Sequence, residues 1–155
     1  MSAALATAET QPAAPRAGYP EKVISFAIDG RMFGVEVARV REIRSWQPTT
    51  PLPKQAPYVM GIINLRGDAI AIFDLRTRLG LTPTANPASC VVIVVDLGTR
   101  LAGLVADSVS DILDIDPAEY RPTPESNIEN DPTRALILRK DALITLLDID
   151  VLTRG

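Results

Sequence analysis

Four aspartates fall in two close pairs, Asp107 with Asp111 and Asp114 with Asp116. Two carboxylates at such spacing are a common start for acid–base or Mg²⁺ chemistry. Nothing completes either pair: no glycine-rich phosphate loop accompanies them and no second set of polar residues converges on them, so they read as solvated loop charges. The chain has no histidine and one cysteine, Cys90. That excludes Ser-His-Asp and Cys-His nucleophile pairs, a phospho-accepting histidine and any Cys/His metal cluster. Cys90 precedes Val91, Val92 and Ile93 and reads as a small buried hydrophobe, with no partner for an internal disulfide. The sequence therefore predicts no catalytic residues, no metal and no cofactor.

Composition narrows the class further. The 155 residues are 46% hydrophobic and 23% charged, ordinary for a chain with a self-sufficient core. A net charge of -3 and an aromatic content of 5% argue against a nucleic-acid-binding barrel, which needs a basic groove and stacking platforms. No apolar run approaches the roughly 18 residues that span a bilayer, so direct membrane insertion is not expected. Residues 1–20, "MSAALATAETQPAAPRAGYP", lack the basic start and apolar segment of a signal peptide and read as a disordered tail. A cytoplasmic location is the default.

Any site must then be positioned by short elements. Ile24, Phe26 and Ile28 alternate with polar or small residues, and Asp29-Gly30 supplies a tight turn into a return strand over Met32–Val37, with Gly34 as a bulge. A helical turn near Val37–Val40 leads to a strand from about Arg41. Prolines 48, 51, 53 and 57 make a rigid connector, and Trp46 before it packs over a barrel end. Ile62–Leu65 and Ala69–Phe73 form a hairpin, followed by a short helix that Asp74 caps and Gly80 stops. Asp74 and Arg76 read as an internal pair. The β-branched run Val91–Val95 predicts burial on both faces, and Leu101–Ala106 returns from it. Asp107–Asp116 is short strand or irregular. Prolines 117, 122, 124 and 132 mark a loop, and Ala135–Leu138 and Leu143–Ile149 are the last strands. About nine or ten short strands at hairpin spacing predict an all-β barrel or sandwich architecture. A loop near residues 82–88 divides the chain into lobes 21–83 and 88–152, with no sequence repeat evident between them.

Within this scheme "GIINLRGDAIAIFDLR" (61–76) stands out, because an Asn, an Arg-Gly-Asp tip and an Asp-Leu-Arg tail interrupt an apolar hairpin. This block, together with "GVEVARVREI", "VVIVVDLGTRLAGLVADSVSDIL" and "YRPTPE" in that order, resembles the CheW family, the coupling proteins of bacterial chemotaxis. The likeness runs from about Val23 to Leu152. It implies two small SH3-like five-stranded β-barrels packed side by side, with short helical turns and strand exchange between lobes allowed. It implies no enzymatic activity. The partners it implies are the regulatory domain of the histidine kinase CheA, chemoreceptor cytoplasmic tips and other CheW copies, with recruitment to membrane-associated arrays. One departure is the compact "SNIENDPTRALILRKDALITLLDID", which lacks the Gly-rich turn usual in the family before the last strands.

The resemblance assigns a receptor-binding face to Val40, Glu42, Ile43, Gly61, Asn64 and Arg66. Arg66 would present a guanidinium able to grip a carboxylate, Val40 an apolar contact and Glu42 a rim charge that fixes register. The plainer reading makes Val40 and Ile43 core, Arg66 a solvated turn charge, and Gly61 and Gly67 structural. Leu97 and Leu101, flanking the Gly98-Thr99-Arg100 turn, are the kinase-binding candidates. A scaffold for a pathway other than swimming fits the same residues.

Overall fold

The computed structural model of the chain describes residues 18–124 and 130–154. Most of the expected tail therefore lies outside the described residues, but its end is ordered. The Tyr19 ring lies 4.7 Å from Tyr120, whose hydroxyl donates to the Pro20 carbonyl at 2.5 Å.

Strands β1 (Lys22–Ile28) and β2 (Arg31–Glu36) form the expected first hairpin. Asp29 and Gly30 both take positive φ, 53° and 75°, which matches the twist of a two-residue hairpin turn. Gly34 is not a bulge: the β1–β2 register runs unbroken from Val23–Glu36 to Ile28–Arg31. A Cβ at Gly34 would lie 2.4 Å from Val23 Cγ1, so the residue is small to admit its neighbour. A 3₁₀ turn at Val37–Arg39 redirects the chain into β3 (Val40–Ser45). After the proline connector come β4 (Val59–Leu65), β5 (Asp68–Asp74) and helix α1 (Leu75–Arg78). Next are β6 (Val91–Asp96), β7 (Leu101–Ala106) and β8 (Ser108–Asp114). The expected loop after Asp116 holds a 3₁₀ turn at Pro117–Glu119 and the short β9 (Tyr120–Arg121). Strands β10 (Thr133–Arg139) and β11 (Ala142–Leu147) and helix α2 (Ile149–Leu152) close the chain.

The strands make two sheets, β9-β10-β11-β2-β1-β8 and β3-β6-β7-β5-β4. The chain is all-β, in two SH3-like units. One unit carries a sixth strand, the two-residue β9, beyond the expected five. A cut near residues 82–88 does not separate the sheets, because each half exchanges strands with the other. The hairpin β1–β2 sits with β8–β11, while β3 leaves it for the sheet of β4–β7.

Both sheets follow one plan, a structural repeat where no sequence repeat is evident. In each, an antiparallel hairpin pairs in parallel with the second strand of another hairpin: β2 with β11, and β7 with β5. The registers correspond. Gly34 lies between Ser25 and Leu146, and Gly103 lies between Val94 and Ile72. In each sheet the swapped edge strand carries a bulge after its first valine, with Val40 and Glu42 opposite Val95 and Val94, and Val109 and Asp111 opposite Phe26 and Ser25. The repeat escapes a sequence comparison because few residue types survive it.

The strand pleat divides the core. Val92 and Val94 face the interior of the five-stranded unit with Ile63, Leu65, Ile70 and Ile72. Ile93 and Val95 face the seam, where Phe26, Phe33 and Val35 of one sheet meet Phe73 and Leu104 of the other. Burial of Val92–Val95 on both faces follows from this double packing.

Candidate functional site

The paired aspartates do not form a reaction centre. Asp107 is not a solvated loop charge. It accepts hydrogen bonds from Arg76 Nε (3.0 Å) and Nη2 (2.7 Å) and from the Asp29 amide (2.9 Å). The Arg76 guanidinium holds the Asp107 carboxyl below its ordinary value, despite an opposing effect of burial. Arg76 therefore pairs with Asp107 rather than with Asp74. Asp74 is buried and makes no bond to a helix amide; it accepts from the hydroxyls of Thr77 (2.9 Å) and Thr84 (2.6 Å) and from the Thr84 amide (3.0 Å). Asp114 pairs with Lys22 at 2.5 Å, and Asp116 caps the turn Pro117–Glu119. Asp111 is exposed. Burial pushes the Cys90 thiol up, away from reactivity. Among the described residues no cluster of acidic, Cys or His side chains is arranged to hold a metal ion.

The hairpin tip between β4 and β5 is built differently. Arg66 and Gly67 take φ of 52° and 93°. Positive φ at both central positions gives a tight turn twisted with its strands, and it is unusual for an arginine. Asn64 Oδ1 accepts the Gly67 amide at 2.9 Å and locks the turn. Strands β3 and β4 are opposite edges of the five-stranded sheet, and closure of the barrel brings this tip over β3. There Arg66 Nη2 donates to Glu42 Oε1 at 2.7 Å. The Arg66 side chain is 71% exposed and that of Glu42 29% exposed. The pair is thus a charged, fixed feature on open surface, joining two of the predicted segments. Ile43, next to Glu42, is 42% exposed, while Val40 is half-buried against the seam core.

Comparison with known proteins places this geometry. Residues 22–155 match the family of the CheW-like domain. The chain belongs to the CheW family. It is 38% identical over 133 residues to the probable chemotaxis protein CheW of Rhizobium etli, covering 84% of this chain and 86% of that protein. It is 37% identical over 131 residues to chemotaxis protein CheW of Rhizobium meliloti, covering 83% and 84%. The crystal structure of the scaffolding protein TtCheW from Thermoanaerobacter tengcongensis superposes with a TM-score of 0.79 at 25% identity, covering 88% of this chain and 94% of that one.

In this CheW-family chain the predicted residues do not form one patch. Glu42 on β3 joins Arg66 and Asn64 at the β4–β5 tip, while Val40 and Ile43 lie on the other face of β3, paired with Val95 and Ile93 on the seam side. Gly61 joins neither group. It is buried at φ 137°, and a Cβ there would lie 2.5 Å from the Thr50 carbonyl oxygen, so the backbone it admits is the chain's own connector. Thr50 and Ile62 exchange amide bonds at 2.8 and 2.9 Å beside it. Leu97 and Leu101 are both half-buried. They pack on different cores, Leu97 on the seam and Leu101 on the five-stranded unit.

Two further residues enter the picture. Arg44 Nη1 lies 3.8 Å from Glu42 Oε1, making Glu42 the neighbour of two arginines. The alternation of β3 places positions 42 and 44 on one face, so the signal was present in "VREIR". Ile112 on β8 is 65% exposed. Val109-Asp111-Ile112 occupies in the second sheet the place of Val40-Glu42-Ile43 in the first, and "VSDI" set beside "VREI" carries that signal.

Proposed function

We propose that this CheW-family chain is a non-enzymatic adaptor that joins chemoreceptor cytoplasmic tips to the regulatory domain of the histidine kinase CheA in chemotaxis arrays. The observation that carries the reading is the Arg66–Glu42 pair, fixed at 2.7 Å on open surface by a turn whose geometry is locked by Asn64. An exposed ion pair contributes about 0–1 kcal/mol to folding, so stability alone gives little reason to hold an arginine at positive φ. A cation preorganised on a rigid hairpin instead lowers the ordering cost of binding. Val40, Glu42, Ile43, Asn64 and Arg66 make the receptor face in this reading, and Gly61 supports it from within. The turn between Leu97 and Leu101 is the proposed kinase contact. The protein acts by binding alone, in the cytoplasm, at arrays held to the membrane by the receptors. Among the described residues no helix is long and apolar enough to cross a membrane.

Calorimetric titration against a receptor cytoplasmic fragment and, separately, the CheA regulatory domain tests this. Both partners should bind. Arg66→Ala and Val40→Ala should each weaken the receptor by about tenfold or more and leave the kinase domain unaffected. Heat with neither partner at high micromolar concentration would remove the coupling function.

A further inference from the structure

Glu42 is contested. Its Oε1 accepts from Arg66 at 2.7 Å, and Arg44 Nη1 waits at 3.8 Å, just beyond hydrogen-bond length. Two guanidinium groups beside one carboxylate leave a local surplus of one positive charge. Arg44 is itself incompletely satisfied. Its Nη2 donates to Gln47 Oε1 at 2.9 Å, but its Nε is shielded from solvent with no acceptor. A buried donor left unmet is costly, so the present seating of this side chain is weakly held. Arg66 has the opposite character. Its side chain is largely exposed, one of its terminal nitrogens is committed, and the pair it makes is weak enough to break.

We propose that Glu42 is handed from Arg66 to Arg44 when a partner engages, freeing the Arg66 fork for a carboxylate of the receptor helix. The inference rests on the receptor-binding reading given above and names the chemistry of that contact. Closing Arg44 Nη1 to Glu42 takes about 1 Å, the difference between the observed separation and an ordinary hydrogen bond. Without Arg44, release of Arg66 would strand the Glu42 carboxylate beside the incoming acid, where like charges repel. Arg44 is thus a positioning residue: it acts through Glu42 and does not itself touch the partner. The preferred occupant is an Asp or Glu side chain, because a guanidinium fork matches a carboxylate in two parallel bonds.

The test is a double-mutant cycle on the intact chain, read by calorimetry against the receptor cytoplasmic fragment. Arg44→Met keeps the stem of the side chain and removes its charge; it should weaken binding about tenfold. In a Glu42→Ala background Arg66 is already released, so Arg44→Met should have no further effect. Arg44→Lys should restore most of the affinity, and a thermal melt of each variant checks that the fold is kept. Should Arg44→Met disturb the fold, the ¹⁵N resonances of the Arg44 terminal nitrogens in the unaltered protein decide instead: they should shift on receptor addition as Nη1 gains the Glu42 carboxylate. An equal loss from Arg44→Met in both backgrounds, an unchanged affinity in both, or unmoved resonances would overturn the exchange while leaving receptor binding intact. Absence of binding by the unaltered protein would overturn the receptor reading itself, and the exchange with it.

Discussion

Arg66 shows how little of a site a residue type reveals. Asn-Leu-Arg-Gly between two apolar runs reads as a hairpin tip, and the structure adds that the arginine itself sits at positive φ with Glu42 as its partner. That partner lies 24 residues away on another edge strand, a distance that only barrel closure spans. The resemblance assigns Gly61 to the receptor face, but the backbone that approaches it is Thr50 of the same chain. Gly61→Ala would meet both an unfavourable φ and a clash with a carbonyl that cannot swing aside. It should destabilise the protein by about 2–4 kcal/mol in urea unfolding. Gly67→Ala faces open space and a positive φ alone, and should cost about 1 kcal/mol. Arg66→Ala should change stability by less than about 1 kcal/mol, separating its role in binding from any role in folding.

At the scale of elements, the strands with clear alternation or continuous β-branched runs were readable: the β1–β2 hairpin, the β4–β5 hairpin and the buried Val91–Val95. Helix α2 was not. "LDIDVLTR" continues the apolar run of the last strand, and a four-residue helix has too few turns to show a period. Its start is fixed by Asp148, which accepts the Asp150 and Val151 amides at 3.0 and 3.2 Å. Its end is held by Arg78, which donates to the carbonyls of Val151 and Leu152, both at 3.1 Å, and lies over the Tyr58 ring. Asp148→Ala should cost about 1 kcal/mol, the usual worth of a capping side chain. Asp74 occupies the equivalent position before α1 but bonds to Thr77 and Thr84 instead, inside the protein. Asp74→Ala leaves those donors unmet and should cost more, about 2–3 kcal/mol. Denaturant midpoints of the two variants, at constant slope, check the ranking.

For the whole molecule, the strand count and the all-β class were open to reasoning from pattern, whereas the strand exchange was admitted only through the family resemblance. Local alternation states that a segment is a strand but not which sheet receives it. That choice lies in long-range joints such as Arg76 with Asp107 and Asp29. The related joint at the other end has its signs reversed, with Arg39 gripping Asp150 through two bonds of 3.2 and 2.7 Å. Asp107 and Asp150 are both held below the ordinary carboxylate value of 3.8, in each case chiefly by the hydrogen-bonded arginine. The unfolded chain therefore binds more protons than the folded one in acid. The stability these groups contribute is whole above the ordinary value and is lost as pH falls through the lower, folded value. Unfolding free energy should be flat between about pH 5.5 and 8, where no histidine titrates, and should decline below about pH 4. Asp107→Asn should shallow that acid decline, which a series of urea titrations across pH would detect.

The adaptor account requires more than two separate affinities: the receptor face and the kinase face must be usable at once. Sedimentation velocity of the chain mixed with a receptor cytoplasmic fragment and the CheA regulatory domain tests this directly. The account predicts a single faster boundary containing all three components, which the Arg66→Ala variant should reduce to a complex of chain and kinase domain alone. Displacement of one partner by the other, leaving only binary complexes at any ratio, would contradict it.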